Sequence, residues 1–234
     1  MMEYSHQSAG PTVPQGHPGP PDPAEPARVA DAVRQLGIRH TVITSVTRDD
    51  LPDQGAGQFA ACIREVRAAR PDCSIEVLIP DFQGRRDALD LVMQERPEVL
   101  NHNIETVPRL YRRVRPKAIY RQSLELLQRA GSYGTSKTKS GLMLGLGETM
   151  EEVVATLDDL RAHGVQILTL GQYLKPREHR LDIVRYVHPD EFAELKRIAY
   201  AKGFEHCESG PLVRSSYHAE GHIDRPLFES AQGA

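Results

Sequence analysis

The sequence predicts an α/β protein whose parallel sheet forms a partial barrel. Short apolar runs rich in β-branched residues alternate with amphipathic helical segments, at intervals of roughly 25–35 residues. Five such runs each end in polar or glycine-rich residues. Because the carboxyl ends of parallel strands share one edge, this pattern predicts one ligand site along that edge. Polar ends on all five runs, not at a single switch point, favour a barrel over a doubly wound sheet.

The composition excludes several classes of function. The chain has 234 residues, 39% of them hydrophobic, and a formal net charge of −3, which suits one large domain without a basic surface for nucleic acid. No apolar run approaches the roughly 20 residues that span a bilayer. The three cysteines, Cys62, Cys73 and Cys207, are far apart and odd in number. This pattern predicts a reduced, cytoplasmic protein without a local Cys-x-x-Cys metal site.

Three regions follow from the composition along the chain. Residues 1–26 form a leader rich in proline and glycine, which we expect to be extended or disordered. Residues 27–205 carry the alternating pattern and form the predicted barrel. Residues 206–234 form a C-terminal extension with a loose polar tail.

Hydrophobic periodicity places the elements within the barrel. The five predicted strands are His40–Val46, Ser74–Ile79, Val99–Glu105, Leu142–Gly147 and Gln166–Leu170. The predicted helices are Pro26–Leu36, Gly57–Ala69, Arg85–Glu95, Tyr120–Ala130, Met150–Ala162 and Pro189–Ala201. Thr149 and Glu152 have the spacing of a capping box at the start of the fifth helix.

Two strand ends carry the residues most typical of a ligand site. The stretch Val42–Leu51 begins as an apolar run and ends in Arg48, Asp49 and Asp50. A solvated turn would explain this cluster alone, but its recurrence at other strand ends favours a site. In Asn101–Glu105, four side chains capable of hydrogen bonding follow within five residues. Buried polar groups need partners, so these side chains bind either each other or a ligand, and we favour a ligand.

Other features have a structural interpretation. The basic stretch at residues 109–117 is best interpreted as a solvated face, with a patch for an acidic partner as the alternative. Cys62 falls on the inner face of a predicted helix and behaves as a core residue. The glycines near Leu144 fit neither the dinucleotide-binding nor the Walker spacing.

Five motifs together resemble the lipoyl synthases, a family of radical S-adenosylmethionine (SAM) enzymes. The resemblance runs in collinear order from about residue 16 to residue 219, whereas residues 1–15 fall outside it. The motifs are Thr44–Leu51, Asn101–Thr106, Lys139–Gly145, Leu170–Leu174 and Arg214–Tyr217.

This resemblance implies a partial (β/α)6 barrel, SAM and two [4Fe-4S] clusters. In the family, one cluster reduces SAM to a 5′-deoxyadenosyl radical, which removes hydrogens from C6 and C8 of a protein-bound octanoyl chain. The second, auxiliary cluster supplies the two sulfur atoms. The implied partners are octanoylated lipoyl domains or the glycine cleavage H protein, together with an electron donor. Neither a nucleic acid nor a membrane is implied.

The resemblance also implies roles for residues at the strand ends. The SAM-binding positions it indicates are Ser45, Arg48, Asp49, Asp50, Asn103 and Glu105. Arg48 suits the carboxylate of SAM, and Asp49 or Asp50 suits its ammonium group. Ser216, with Ser215 as the alternative, corresponds to the serine ligand of the auxiliary cluster, and no catalytic residue is identified.

The sequence departs from the family in its iron ligands. It contains neither Cys-x3-Cys-x2-Cys for the SAM cluster nor Cys-x4-Cys-x5-Cys for the auxiliary cluster, and thiolates normally hold such clusters. We therefore expect an N-terminally truncated lipoyl synthase that lacks the first barrel strand and is inactive as written. The strand at residues 40–46 would then be a bare edge, which predicts poor solubility.

Two alternatives belong to other classes of function. The first is a non-catalytic barrel remnant that binds SAM or an octanoylated carrier domain. The second, a metal-free barrel lyase, is disfavoured, since its only candidate Schiff-base residue, Lys139, begins a strand instead of ending one.

Overall fold

The computed structural model describes residues 18–176, 180–217 and 219–222, so most of the predicted leader lies outside the described residues. Six strands form one parallel sheet in the order β1 to β6, as expected for an α/β fold of this class. Within the described chain, β1 and β6 are edge strands, so the sheet is an open, partial barrel. The strands are β1 His40–Thr44, β2 Ser74–Leu78, β3 Val99–Asn101, β4 Lys137–Leu144, β5 Ile167–Gln172 and β6 His206–Gly210.

The helix α1 precedes β1, and the helices α2 to α7 lie in the connections between successive strands. Their bounds are α1 Glu25–Leu36, α2 Ala56–Ala69, α3 Arg86–Gln94, α4 Tyr111–Val114, α5 Tyr120–Ser132, α6 Met150–Ala162 and α7 Pro189–Ala201. The capping box of α6 is present, with Thr149 Oγ1 accepting from the Glu152 amide and Glu152 Oε2 accepting from the Thr149 amide. No helix in the described part of the chain is long and apolar enough to cross a membrane.

The core is divided between the two halves of the sheet. One apolar cluster joins α1, α2 and α3 to the first strands and includes the fully buried Ile63, Ile75 and Val92. The other packs α5, α6 and α7 against the later strands and includes the fully buried Leu157 and Leu168. Each side chain of this size contributes about 1.5–3 kcal/mol when it leaves water. The two clusters fix the helices outside the sheet, so the strand ends remain available for a site.

The sixth strand corrects the prediction of five strands. His206–Gly210 pairs in parallel with β5 over five residues, although its sequence falls in the predicted C-terminal extension. Only one residue of this strand, Cys207, is apolar and buried. Glu208 instead pairs with Lys196 on α7 at 3.4 Å and with His206 at 3.0 Å. A strand stabilised through polar partners lacks the apolar alternation by which strands are recognised.

The bounds of two strands, β3 and β4, differ from the prediction by more than two residues. The strand β3 ends at Asn101, not at Glu105, and Glu105 has a left-handed backbone with φ of 66°. The strand β4 begins at Lys137, not at Leu142, because its polar first half is buried against polar partners. It ends at Leu144, since Gly145 turns the chain with φ of 99°.

Candidate functional site

A cleft opens at the carboxyl ends of the strands, where the sequence predicts the ligand site. The carboxyl ends of β1 to β5 line it together with the end of α4 and with residues 176, 180 and 181. Its lining residues are Thr44, Ser45, Thr47, Leu78, Ile79, Pro80, His102, Asn103, Glu105, Val114, Arg115, Met143, Tyr173, Pro176, Arg180 and Leu181. The cleft is therefore formed by many elements, as in other barrels.

The end of β3 is fixed by hydrogen bonds at two consecutive side chains, Asn101 and His102. Asn101 Nδ2 donates to Glu76 Oε1 at 2.9 Å in the barrel interior. The ring of His102 lies between the main-chain oxygen of Ile79 and Ser123 Oγ, each at 2.9 Å. Burial, followed by the nearby Arg115 charge, lowers the pKa of His102 to about 4. The ring is therefore neutral at pH 7 and connects β3 to both β2 and α5.

Asn103 presents an amide oxygen without a hydrogen-bond partner among the described residues. Its Oδ1 atom is buried, while its main-chain oxygen accepts from Arg115 Nη1 at 3.0 Å. Gly141 on β4 lies opposite, and a Cβ atom there would be 2.9 Å from Oδ1. The glycine thus provides the space in which this side chain lies. A buried acceptor at a cleft, without a partner among the described residues, can accept a hydrogen bond from a ligand.

Glu105 adds a carboxylate to the same cleft. Its main chain bridges to β4, donating to the Gly141 oxygen at 3.0 Å and accepting from the Met143 amide at 2.8 Å. A left-handed backbone at a residue other than glycine is unfavourable and concentrates at functional sites. The two bonds to β4 hold Glu105 in that conformation beside Asn103.

Of the predicted site residues in the loop after β1, one lines the cleft and three do not. Ser45 lines the cleft, and its hydroxyl donates to the Val46 oxygen at 3.0 Å. Arg48 instead forms a two-point ion pair with Asp50, with distances of 2.8 and 2.7 Å. This hydrogen bonding lowers the pKa of Asp50. The structure therefore brings Ser45, Asn103 and Glu105 together, whereas Arg48, Asp50 and the exposed Asp49 lie outside the cleft lining.

Arg115 and Arg180 line the cleft but were not identified from the sequence. The basic stretch at residues 109–117 predicts a solvated face, yet Arg115 is only 6% exposed. Its guanidinium lies over the ring of Tyr111, 5.5 Å from the centroid, and also donates to the Tyr111 hydroxyl. The only available signal was the position of Arg115 directly after a short helix, which does not distinguish a buried arginine from an exposed one.

Comparison with known proteins identifies the family. The family model of the Radical SAM superfamily matches residues 4–160. The lipoyl synthase of Chlorobium limicola is 55% identical over 213 residues, which cover 89% of this chain and 73% of that protein. The chain belongs to the lipoyl synthase family. Two further lipoyl synthases, from Rubrobacter xylanophilus and Methylococcus capsulatus, are 58% and 59% identical, covering 87% and 89% of this chain but only 64% and 65% of their own lengths. This member thus spans about two thirds of the length of its relatives.

Solved structures support the fold of this lipoyl synthase family member. HydG, a maturase of the [FeFe]-hydrogenase, matches with a TM-score of 0.65 at 14% identity, covering 90% of this chain and 54% of HydG. Streptococcus suis SuiB bound to SAM matches with a TM-score of 0.59 at 10% identity, covering 77% of this chain and 40% of SuiB. At such low identity these similarities establish the fold alone.

The described residues do not fit an iron–sulfur cluster, although the family implies two. The three cysteines are buried at separate places, on α2, before β2 and on β6. Burial raises the pKa of Cys62 to about 11 and that of Cys207 to about 12, so both remain thiols at neutral pH. Among the described residues, no group of three or more histidine, cysteine or acidic side chains is placed to hold a metal.

The two candidate serine ligands have different environments. Ser216 is exposed, while Ser215 is partly buried and its main-chain oxygen accepts from Lys139 Nζ at 2.5 Å. The role of either serine as a cluster ligand stays a prediction.

Proposed function

We propose that this chain is the SAM-binding barrel of a lipoyl synthase and that SAM binds in the cleft at the strand ends. The observation that carries the proposal is the pair of acceptors after β3: the carboxylate of Glu105 and the buried Oδ1 of Asn103, which has no hydrogen-bond partner within the described ranges. SAM offers matching donors in its ammonium and hydroxyl groups, and its sulfonium is positively charged. When bound next to a reduced cluster, SAM supplies the radical that removes hydrogen from a substrate.

The other predicted SAM contacts require a rearrangement within the loop after β1. In our proposal, Ser45 binds SAM from the position it already has on the cleft wall. Arg48 is paired with Asp50 at the surface, so the pair must separate before Arg48 can contact the SAM carboxylate and Asp50 or Asp49 its ammonium group. Asp50 is half exposed but the Arg48 side chain is only 12% exposed, so this pair is held more strongly than a fully exposed ion pair, which contributes about 0–1 kcal/mol.

The whole-protein activity that we propose is that of the family. Two sulfurs would be inserted at C6 and C8 of an octanoyl group carried by a lipoyl domain or by the glycine cleavage H protein, with electrons from a donor. Ser216, or alternatively Ser215, would ligate the auxiliary cluster. We place this reaction in the cytoplasm, since the described cysteines are free thiols.

For the 234 residues as an isolated chain, we propose SAM binding without sulfur insertion. The sequence as given contains neither cysteine motif, and the described cysteines are buried thiols. These observations favour the second candidate function, a binding protein without radical chemistry, for the chain on its own.

Calorimetry with SAM tests the binding site. Glu105→Gln removes the carboxylate charge while keeping the size, and we expect it to weaken the Kd for SAM by about tenfold or more, because hydrogen bonds to charged groups contribute about 1.5–3 kcal/mol. Glu151→Gln is the matched control, since Glu151 is an exposed carboxylate in the first turn of α6. Absence of heat with the unmodified chain, or equal affinities for the two variants, would overturn the proposed site.

Anaerobic reconstitution with iron and sulfide tests the proposal that the isolated chain performs no sulfur insertion. We expect no stoichiometric cluster on the isolated chain. Cluster absorbance with about four irons per chain would show that other residues hold a [4Fe-4S] cluster.

A further inference from the structure

A buried lysine connects the barrel interior to the segment that contains the candidate serine ligands. Lys139 on β4 has no exposed side-chain surface, and its ammonium group contacts both carboxylate oxygens of Glu76 at 2.8 and 3.0 Å. The same nitrogen donates to the main-chain oxygen of Ser215. An ammonium group has three donors that can point in different directions. Lys139 thus joins β2, β4 and the segment after β6 at one atom.

This arrangement is costly to bury and therefore calls for an explanation other than stability. Glu76 is also fully buried, and it accepts from Asn101 and lies 3.8 Å from His40. Replacing such a pair by apolar residues is often neutral or stabilising, so its presence is weak evidence for a stabilising role. A charged donor directed at one main-chain oxygen does, however, fix the position of that oxygen strongly.

A second contact holds the same segment against β5. A Cβ atom on Gly171 would overlap the main-chain oxygen of Val213, so this glycine is needed for the close approach of the chain. Within the segment, the Val213 amide donates to the Gly210 oxygen at 3.1 Å and the Tyr217 amide to the Arg214 oxygen at 2.9 Å. The segment is therefore held from two sides, by the close approach of Gly171 on β5 and by the Lys139 ammonium group on β4.

We propose that Lys139 and Gly171 are positioning residues, which hold the segment at residues 213–217 in a fixed register against the barrel. Glu76 acts through Lys139, because it holds the ammonium group in place. The consequence of this register for cluster ligation by Ser215 or Ser216 rests on the proposed function, whereas the tethering itself does not.

A spin label on the segment tests the proposal in the whole chain. Ser216→Cys provides an exposed thiol for a nitroxide, while the three native cysteines are buried. The combined change Glu76→Gln and Lys139→Met removes both buried charges together. We expect a narrower, more mobile nitroxide spectrum and exchange at the Val213 and Tyr217 amides that is about tenfold faster or more, as loss of a charged hydrogen bond predicts. The amides of α6 should keep their protection.

The matched control separates tethering from general stability. Ile63→Ala creates a cavity in the other apolar cluster, lowers the Tm and leaves Lys139 in place. It should leave the nitroxide spectrum and the exchange rates of the Val213 and Tyr217 amides unchanged. The proposal fails if the charge-removing variant keeps the wild-type spectrum, or if Ile63→Ala loosens the segment equally.

A second variant covers the case in which the charge-removing variant does not fold. Gly171→Ala pushes the Val213 oxygen away and should mobilise the label in the same way; an unchanged spectrum would overturn the proposal. None of these measurements uses SAM or iron, so they can fail or succeed independently of the calorimetry.

Discussion

The neutral, fully buried His102 makes the stability of this fold depend on pH in a specific range. Its pKa is lowered from the ordinary value of 6.5 to about 4, mainly by burial. In the unfolded chain the ring takes up a proton near pH 6.5, whereas in the folded chain it does so only near pH 4. Stability contributed by the neutral ring is therefore fully present above pH 6.5 and is lost as the pH falls towards 4.

The size of this pH dependence follows from the difference between the pKa values of His102 in the folded and unfolded chains. Between pH 7.5 and pH 5, the free energy of unfolding should fall by about 2 kcal/mol because of this one group, and by about 3 kcal/mol once both states are protonated. Urea denaturation at constant ionic strength measures it directly. His102→Asn offers a neutral side chain that can still donate to the Ile79 oxygen, and its stability should change less over this range.

The difference between the two curves isolates His102 from the carboxyl groups that titrate at lower pH. Parallel curves for the wild-type chain and His102→Asn would refute the reasoning, since the proton uptake would then belong to other groups. The result also bears on the site, because His102 fixes the chain that leads to Asn103 and Glu105.

Three further predictions concern other parts of the fold. In a double-mutant cycle measured by urea denaturation, Lys139→Met alone should lower the free energy of unfolding by about 3–5 kcal/mol, because it leaves the Glu76 carboxylate buried without its partner. The double variant with Glu76→Gln should lower it by much less. Additive effects of the two substitutions would contradict a buried ion pair. Gly141→Ala places a methyl group 2.5 and 2.9 Å from two polar oxygens and should weaken SAM binding in calorimetry by about tenfold, in proportion to one lost hydrogen bond. Gly131→Ala meets only ordinary contacts and is its control, so equal losses would count against the proposed cleft. Thr149→Ala removes the cap of α6 and should cost about 1 kcal/mol, seen as a Tm about 2–4 °C lower; an unchanged Tm would show that the cap contributes nothing.

The sequence was sufficient for those strands that carry a run of apolar residues on at least one face. The strand β2, for example, has Ile75 and Val77 fully buried, and its β-branched run predicts it directly. Likewise α6 and α7 have the bounds that periodicity and capping predict, Met150–Ala162 and Pro189–Ala201. In these cases the local signal and the tertiary environment agree.

The strand β6 and the first half of β4 were missed for a common physical reason. Thr138, Lys139 and Ser140 are all fully buried, and the polar atoms of all three have partners far away in the sequence. Such pairing over 20 to 80 residues leaves no local periodicity, so a buried polar strand looks like a loop in the sequence. The same limitation applies to Arg115, whose burial depends on Tyr111 and on the end of β3.

The polar interior that hid these strands also explains how the site is built. A barrel filled with apolar layers would hold the inward-facing side chains of its strands through packing, which tolerates small shifts. Here the strand ends are connected by directional bonds instead: Asn101 to Glu76, Lys139 to Glu76, and Ser140 Oγ to the His102 oxygen at 2.9 Å. Directional bonds fix both distance and angle, so they hold Asn103 and Glu105 at defined positions beside Gly141. The residues that make the fold hard to predict are therefore the ones that give the cleft its geometry.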